Sequence, residues 1–265
     1  MIIGFIGAGN MGGALAKAAR AAKPDDVILL SDPRKDKAEE LAAELNAAVV
    51  DNKTIAMNAD FIFLGVKPQN LADVLGGISG LLRTRGGTFT IISMAAGVPI
   101  SRIKQYLGVA APIIRIMPNT PVAVGEGAIL YSYSEVTTQE SINSFTKILS
   151  KAGSVMNLDE KLIDAASAIS GCGPAYADLF IEALSDGGVA CGLPRAAAIT
   201  LASQMLAGSA KLQLATGKHP AELKDAVCSP AGSTIEGVRT LEEGAFRSLV
   251  MNAVIAAYKR TKELG

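Results

Sequence analysis

The stretch from Ile2 to Ala22 constrains the fold more than any other part of the 265 residues. A short apolar run, Ile2-Ile3-Gly4-Phe5-Ile6, leads directly into Gly7-Ala8-Gly9-Asn10-Met11-Gly12, and a helical pattern follows over Met11–Ala22. In a chain with 27 glycines this spacing alone means little. Between a strand and a helix it means a tight turn built to approach a diphosphate. The first glycine makes the turn, the second admits the ligand to the backbone, and the third lets the helix pack against the strand. The helix start then offers free N–H groups and the positive end of its dipole. Gly7, Ala8, Gly9, Asn10, Met11 and Gly12 are therefore candidate dinucleotide contacts. The plainer alternative is a tight turn that holds nothing.

The rest of the first half fits that beginning. Val27–Leu30, Phe61–Gly65, Thr88–Ser93 and Ile113–Met117 are short, nearly continuous apolar runs, as in strands of a parallel sheet covered on both faces. Helical stretches such as Lys35–Leu45 lie between them, which implies βαβ units. Ala128–Tyr133 and Val155–Leu158 read as further strands around a helix near Thr137–Lys151. After Leu158 the strand-like runs stop. Asp159–Ile169, Pro174–Ala190, Pro194–Ala215, Pro220–Val227, Ser233–Glu242 and Phe246–Leu264 read as helices, several opening on proline. The expected fold is α/β: a Rossmann-type doubly wound sheet over residues 1–158, then an all-α domain over 159–265. Ala196–Ala210 is apolar on too many faces for a small monomer, which implies a homodimer through the C-terminal helices.

Composition narrows the function classes. Lys+Arg and Asp+Glu balance at 25 each, so no nucleic-acid or membrane electrostatics is indicated. The cysteines, Cys172, Cys191 and Cys228, are far apart and read as buried free thiols; with a single histidine they make no zinc site, and no metal is expected. The opening strand lacks the features of a signal peptide, and the longest uncharged stretches fall short of a membrane span. The expected location is the cytoplasm.

Further cofactor contacts follow from strand ends. Ser31-Asp32-Pro33-Arg34-Lys35 closes the second strand. An acid at Asp32 can hydrogen-bond a ribose 2′-OH, whereas Ser31, Arg34 and Lys35 can hold a 2′-phosphate. Two successive cations tilt the balance to NADPH, with NADH still open. Asp32-Pro33 also reads as a helix N-cap followed by proline. Val66-Lys67-Pro68 and Met94-Ala95-Ala96-Gly97 sit at other strand ends facing the ligand crevice, Lys67 near phosphate or ribose and the small residues beside the nicotinamide. A solvated lysine and a compact loop are the plainer readings.

Three segments then carry a resemblance: Arg115-Ile116-Met117-Pro118-Asn119-Thr120-Pro121, Ser170-Gly171-Cys172-Gly173-Pro174-Ala175-Tyr176, and His219 through Arg247, centred on Ser229-Pro230-Ala231-Gly232-Ser233-Thr234. With the Gly7–Gly12 turn, they make nearly the whole chain resemble pyrroline-5-carboxylate reductase. The resemblance implies NAD(P)H-dependent reduction of L-Δ1-pyrroline-5-carboxylate, a cyclic imino acid, to L-proline, the last step of proline synthesis. It implies an obligate dimer through interleaved C-terminal helices, often built into a ring of dimers. It implies cofactor contacts from the Gly7–Gly12 turn, Ser31, Asp32, Asn52, Val66, Lys67, Pro68, Ala95 and Ala96. Substrate contacts would come from Glu160, Gly232, Ser233 and Thr234. Two positions depart from the family pattern. Ala226 replaces an asparagine found in some members, and Ala231 replaces the first glycine of a Pro-Gly-Gly.

Physical reading of the signature agrees. Ser233-Thr234-Ile235-Glu236 fits a capping box, and a helix start suits a carboxylate. A well-capped helix that binds nothing is the alternative. Thr234 is the candidate to meet the ring nitrogen and is the one catalytic assignment. His219, before a proline-initiated helix, reads as structural, and Tyr176 as a core aromatic. Glu160 also fits simple dipole stabilisation at a helix start. The rival enzyme class, the β-hydroxyacid dehydrogenases, places a lysine four residues after a helix glycine, but Ala177 stands there after Gly173. Another imine reductase and an NAD(P)-sensing regulator are the remaining alternatives.

Overall fold

The computed structural model describes residues 1–264. The first elements are β1 (Ile2–Ile6), α1 (Asn10–Ala22), β2 (Val27–Ser31), α2 (Lys35–Leu45), β3 (Ala48–Val49), α3 (Asn52–Asn58) and β4 (Phe61–Leu64). Then come α4 (Leu71–Thr84), β5 (Thr90–Ser93), α5 (Ile100–Leu107), β6 (Ile113–Met117), β7 (Gly127–Tyr133), α6 (Gln139–Ile148) and β8 (Gly153–Asn157). The helical remainder is α7 (Ile163–Ser170), α8 (Gly173–Ala190), α9 (Arg195–Thr216), α10 (Pro220–Ala226), α11 (Ser233–Glu243) and α12 (Phe246–Leu264).

The strands form one 8-stranded sheet in the order β3-β2-β1-β4-β5-β6-β7-β8. All pairings are parallel except β6 with β7. Alternation along β1 sends Ile3 and Phe5 into one core and Ile6 into the other. The first core includes Leu15 of α1, Leu41 of α2 and Phe145 of α6, with Phe5 stacked on Phe63 at 4.6 Å. The second includes Ile55 of α3, Leu75 of α4 and Ile103 of α5. Helices thus cover both faces, which explains the unbroken apolar strands. Strand order reverses at β1, between β2 and β4, so the glycine turn leaves the sheet at a topological switch point.

Several expectations need correction. β3, a 2-residue edge strand, is too short to show periodicity and was not anticipated. Asp159–Ile169 is not one helix: a 3-10 turn, Glu160–Leu162, precedes α7. The cysteines are free, but Cys191 is exposed and Cys172 and Cys228 are half-buried, because they sit at helix ends rather than in a core.

By contacts the chain falls into two compact units. One is Met1–Gly171 with α12 from Tyr258 onward, and the other is Cys172–Ala257. In the second, α8 packs on α9, Phe180 lies 5.8 Å from Phe246, and the Tyr176 hydroxyl donates to the Ala253 carbonyl at 3.4 Å. Desolvation, with the Cys172 thiol beside it, raises the Tyr176 pKa above the ordinary tyrosine value. Among the described residues no helix is long and apolar enough to cross a membrane, and no cluster of His, Cys, Asp and Glu is arranged to hold a metal ion.

Candidate active site

The glycine turn is held by backbone geometry that side chains would destroy. Gly7 has φ +95°, and its N–H donates to the Ser31 carbonyl at 2.7 Å. A Cβ there would lie 2.6 Å from the Gly65 carbonyl oxygen, and one on Gly12 would collide with the Gly7 carbonyl. This close approach seats α1 against β1 and β4. Gly9 caps α1 and contributes no side chain, so the first-turn N–H groups have no internal side-chain acceptor. That start fits an anionic diphosphate.

Asp32 is tied into the same turn. One carboxylate oxygen accepts from the Ala8 N–H at 2.9 Å, and the other accepts from the Arg34 N–H at 3.0 Å and Arg34 Nε at 3.4 Å. Asp32 does not cap α2, which starts at Lys35 with Arg34 in the cap position, so the N-cap expectation is corrected. Its side chain is only 7% exposed, whereas that of Arg34 is 53% exposed. A Cβ on Gly9 would come 3.4 Å from the Arg34 guanidinium, so this cation lies over the turn. Beside it opens a cleft of about 700 Å³ lined by Ser31, Asp32, Lys35, Asn52 and Lys53, among others. The Ser31 hydroxyl donates to Asn52 Oδ1 at 2.6 Å, linking two expected contacts 21 residues apart.

The other expected loops follow β4 and β5. Val66 is half-buried, while Lys67 and Pro68 are exposed, Lys67 standing just before a 3-10 turn, Pro68–Asn70. After β5, Ala95 is buried and Ala96 exposed. The loop is lightly held: the Ala95 N–H reaches Ser93 Oγ at 3.4 Å, and the Val98 N–H reaches the Ala95 carbonyl at 3.4 Å.

In the second unit the signature forms a turn and a helix start. The Gly232 N–H donates to the Ser229 carbonyl at 3.0 Å, closing a turn with Pro230 second and Ala231 third. Ala231 has φ +56°, the left-handed region where a type II turn favours glycine. A Cβ on Gly232 would strike Ser229 Oγ, so a larger residue there would have to displace that hydroxyl. The capping box does not form. α11 begins at Ser233, Gly232 is the cap, and no side chain caps the helix. The helix starts one residue earlier than a serine cap requires, and Glu236 instead pairs with Arg239 at 3.0 Å. Ser233 and Thr234 are therefore exposed on the first turn, beside N–H groups that no side chain caps.

Glu160 is engaged elsewhere. Its Oε1 accepts from the Ile100 N–H at 2.7 Å and faces Arg115 at 3.3 Å. His219 has the structural place expected, its Nδ1 accepting from the Ala221 N–H at 3.2 Å at the start of α10.

Comparison with known proteins decides the family. A reductase from Methanosarcina acetivorans described as pyrroline-5-carboxylate reductase is 41% identical over 99% of this chain and 97% of its own length. The chain belongs to the pyrroline-5-carboxylate reductase family. The family model for pyrroline-5-carboxylate reductase dimerisation matches residues 160–264, and one for NADP oxidoreductase, coenzyme F420-dependent, matches residues 2–97. The solved pyrroline-5-carboxylate reductase of Coxiella burnetii superposes with a TM-score of 0.92 at 33% identity, covering 99% of this chain and 98% of its own. The Plasmodium falciparum pyrroline carboxylate reductase, solved with NADP bound, gives 0.87 at 33% identity, covering 100% and 98%.

Two residues of the pyrroline-5-carboxylate reductase-like segment Arg115–Pro121 had no role assigned from sequence. Asn119 donates from Nδ2 to the Ser170 carbonyl at 2.9 Å and accepts the Ala128 N–H at 2.8 Å. It ties the end of α7 to the start of β7. Arg115 is buried against Glu160 and Asp164. The signal for both was a polar residue inside or directly after an apolar strand.

Proposed function

We propose that this chain reduces the C=N bond of L-Δ1-pyrroline-5-carboxylate to give L-proline, with NAD(P)H as reductant, as the last step of proline synthesis in the cytoplasm. One observation carries the substrate assignment: 41% identity over 99% of the chain to a pyrroline-5-carboxylate reductase. The site geometry supports the division of labour. Residues 1–158 would hold the cofactor through the Gly7–Gly12 turn, Ser31, Asp32, Arg34, Asn52, Val66–Pro68, Ala95 and Ala96. Residues 159–265 would carry dimerisation and the substrate contacts.

When bound, the nicotinamide supplies a hydride. The open first turn of α11 offers the N–H groups around Gly232–Thr234 to the substrate carboxylate and so orients the ring. A threonine hydroxyl is a poor acid, so the imine enters already protonated and Thr234 Oγ accepts a hydrogen bond from its ring nitrogen. Hydride addition at C5 then moves the C=N electron pair onto nitrogen, and the resulting amine takes up a proton from water. Asp32 bonds the turn rather than standing free for a ribose 2′-OH, and Ser31, Arg34 and Lys35 remain beside it. That arrangement favours NADPH over NADH.

The assembly follows from exposed apolar surface. In α9 only Ala198 and Ala202 are buried, while Leu201, Met205, Leu212 and Leu214 are exposed. A second apolar groove of about 300 Å³ includes Leu179, Phe180, Phe246 and Leu249. Such surface needs a cover, and a second copy of the chain supplies it; rings of such dimers are the larger form.

The test is NADPH oxidation with pyrroline-5-carboxylate, comparing wild type with Thr234→Ala. Turnover by wild type with loss of about a hundredfold in kcat/KM in the variant is expected for a lost active-site hydrogen bond. Unchanged turnover removes Thr234 from the mechanism, and no turnover by cofactor-binding wild type removes the activity.

A further inference from the structure

The Arg115-containing segment has a use that the substrate and cofactor contacts do not explain. Arg115 is the central residue of β6, its side chain 6% exposed. Its guanidinium faces two carboxylates, Glu160 at 3.3 Å and Asp164 at 3.0 Å, and Lys262 reaches the far oxygen of Asp164 at 4.0 Å. A buried guanidinium pairing two acids is expensive to desolvate, and removing one partner leaves an uncompensated buried charge. Glu160 passes that fixation on. The oxygen facing Arg115 also accepts the N–H of Ile100, the first residue of α5, from 60 residues away. Pro99, in the cap position of α5, contributes no side-chain bond of its own. Glu160 is thus a borrowed cap for that helix.

The consequence falls on the loop 94–99, which joins β5 to α5. Upstream, Ser93 pairs with Arg115 in the sheet register. Downstream, Ile100 is held by Glu160, which Arg115 holds. The upstream end is also held by β4, since Ser93 pairs with Leu64 and the Met94 N–H donates to the Leu64 carbonyl at 3.3 Å. The downstream end is therefore the one that depends on the Arg115 side chain, and the loop's internal hydrogen bonds are long, at 3.4 Å each. We infer that Arg115 and Glu160 are positioning residues: a strut that sets the height of the Met94–Gly97 loop against the nicotinamide end of the cofactor, and through it the geometry of hydride transfer. This rests on the proposed placement of Ala95 and Ala96 at the cofactor.

The experiment compares Glu160→Ala, Glu160→Gln and Arg115→Lys in the full-length enzyme. Glutamine keeps a carbonyl acceptor for the Ile100 N–H, whereas alanine removes it; lysine keeps the charge but presents one ammonium where the guanidinium reaches two acids. Glu160→Ala and Arg115→Lys are expected to lower kcat about ten- to a hundredfold, as a small misplacement of the reacting groups does. They should also raise the deuterium isotope effect on kcat measured with 4-deuterated NADPH. Glu160→Gln is expected to lose less kcat than Glu160→Ala and to show an isotope effect nearer that of wild type. A lower kcat with an unchanged isotope effect overturns the strut, since mere loss of folded enzyme does that, and so does Glu160→Gln behaving like Glu160→Ala. If Glu160→Ala does not fold, the isotope effect of Arg115→Lys against Glu160→Gln decides in the same way. Hydrogen exchange separates this from the cofactor reading. NADPH protection of residues 94–97 in wild type tests the placement, and faster Ile100 exchange in Glu160→Ala but not in Glu160→Gln tests the strut. Absence of the first with presence of the second leaves a strut without a cofactor role and overturns the inference as stated.

Discussion

Ala231 occupies a place the backbone shapes for glycine. Its φ of +56° is left-handed, in a turn closed by the Gly232 N–H on the Ser229 carbonyl. A β-carbon in that region costs about 1–2 kcal/mol, and the alanine recovers about 0.4–1 kcal/mol by limiting the unfolded chain. Ala231→Gly is therefore expected to stabilise the protein by about 0.5–1 kcal/mol, read as a higher urea midpoint at an unchanged slope. Since α11 starts two residues later, the same change also loosens the turn that presents Ser233 and Thr234, and KM for the imino acid should rise. A drop in the urea midpoint would show that the left-handed turn is not strained in solution.

At the scale of elements, the join between β1, α1 and β2 depends on one carboxylate. Asp32 accepts the Ala8 N–H from the end of the neighbouring strand, so it fixes the turn before any cofactor enters. Asp32→Ala leaves that N–H unpaired, at a cost of about 1–3 kcal/mol, and should raise KM for NADPH; Asp32→Asn keeps an acceptor and should lie near wild type. Equal damage from both substitutions would mean that charge, not the hydrogen bond, is what the turn needs. The glycine turn, the strands other than β3, and α2 were legible because each is a local pattern, Lys35–Leu45 to the residue. The reading of Asp32 as a ribose contact did not include its bond to Ala8, which spans 24 residues and leaves no local pattern. The same holds for Glu160, which was read as a substrate contact or a dipole neighbour and whose bond to Ile100 spans 60 residues. The capping box misled for the opposite reason. Its four letters were present, but the preceding turn delivers the chain to helix one residue early.

At the scale of the molecule, the exposed apolar side chains of the second unit are the surface on which the proposed dimer would rest. Leu249 is 63% exposed beside the groove of Phe180 and Phe246. Leu249→Glu places a charge there and is expected to shift the protein from dimer to monomer in sedimentation velocity, with activity falling on dilution. An unaltered dimer would move the interface off this groove. One further consequence lies in how α12 is shared. The first unit takes its last helical piece from Tyr258 onward, so it is finished by residues synthesised after the whole of Cys172–Ala257. At roughly 5–20 residues per second on the ribosome, the nascent sheet waits on the order of ten seconds for the residues that bring Lys262 to Asp164. Translation speed through the second unit thereby sets how long a half-built first unit is open to chaperones and proteases.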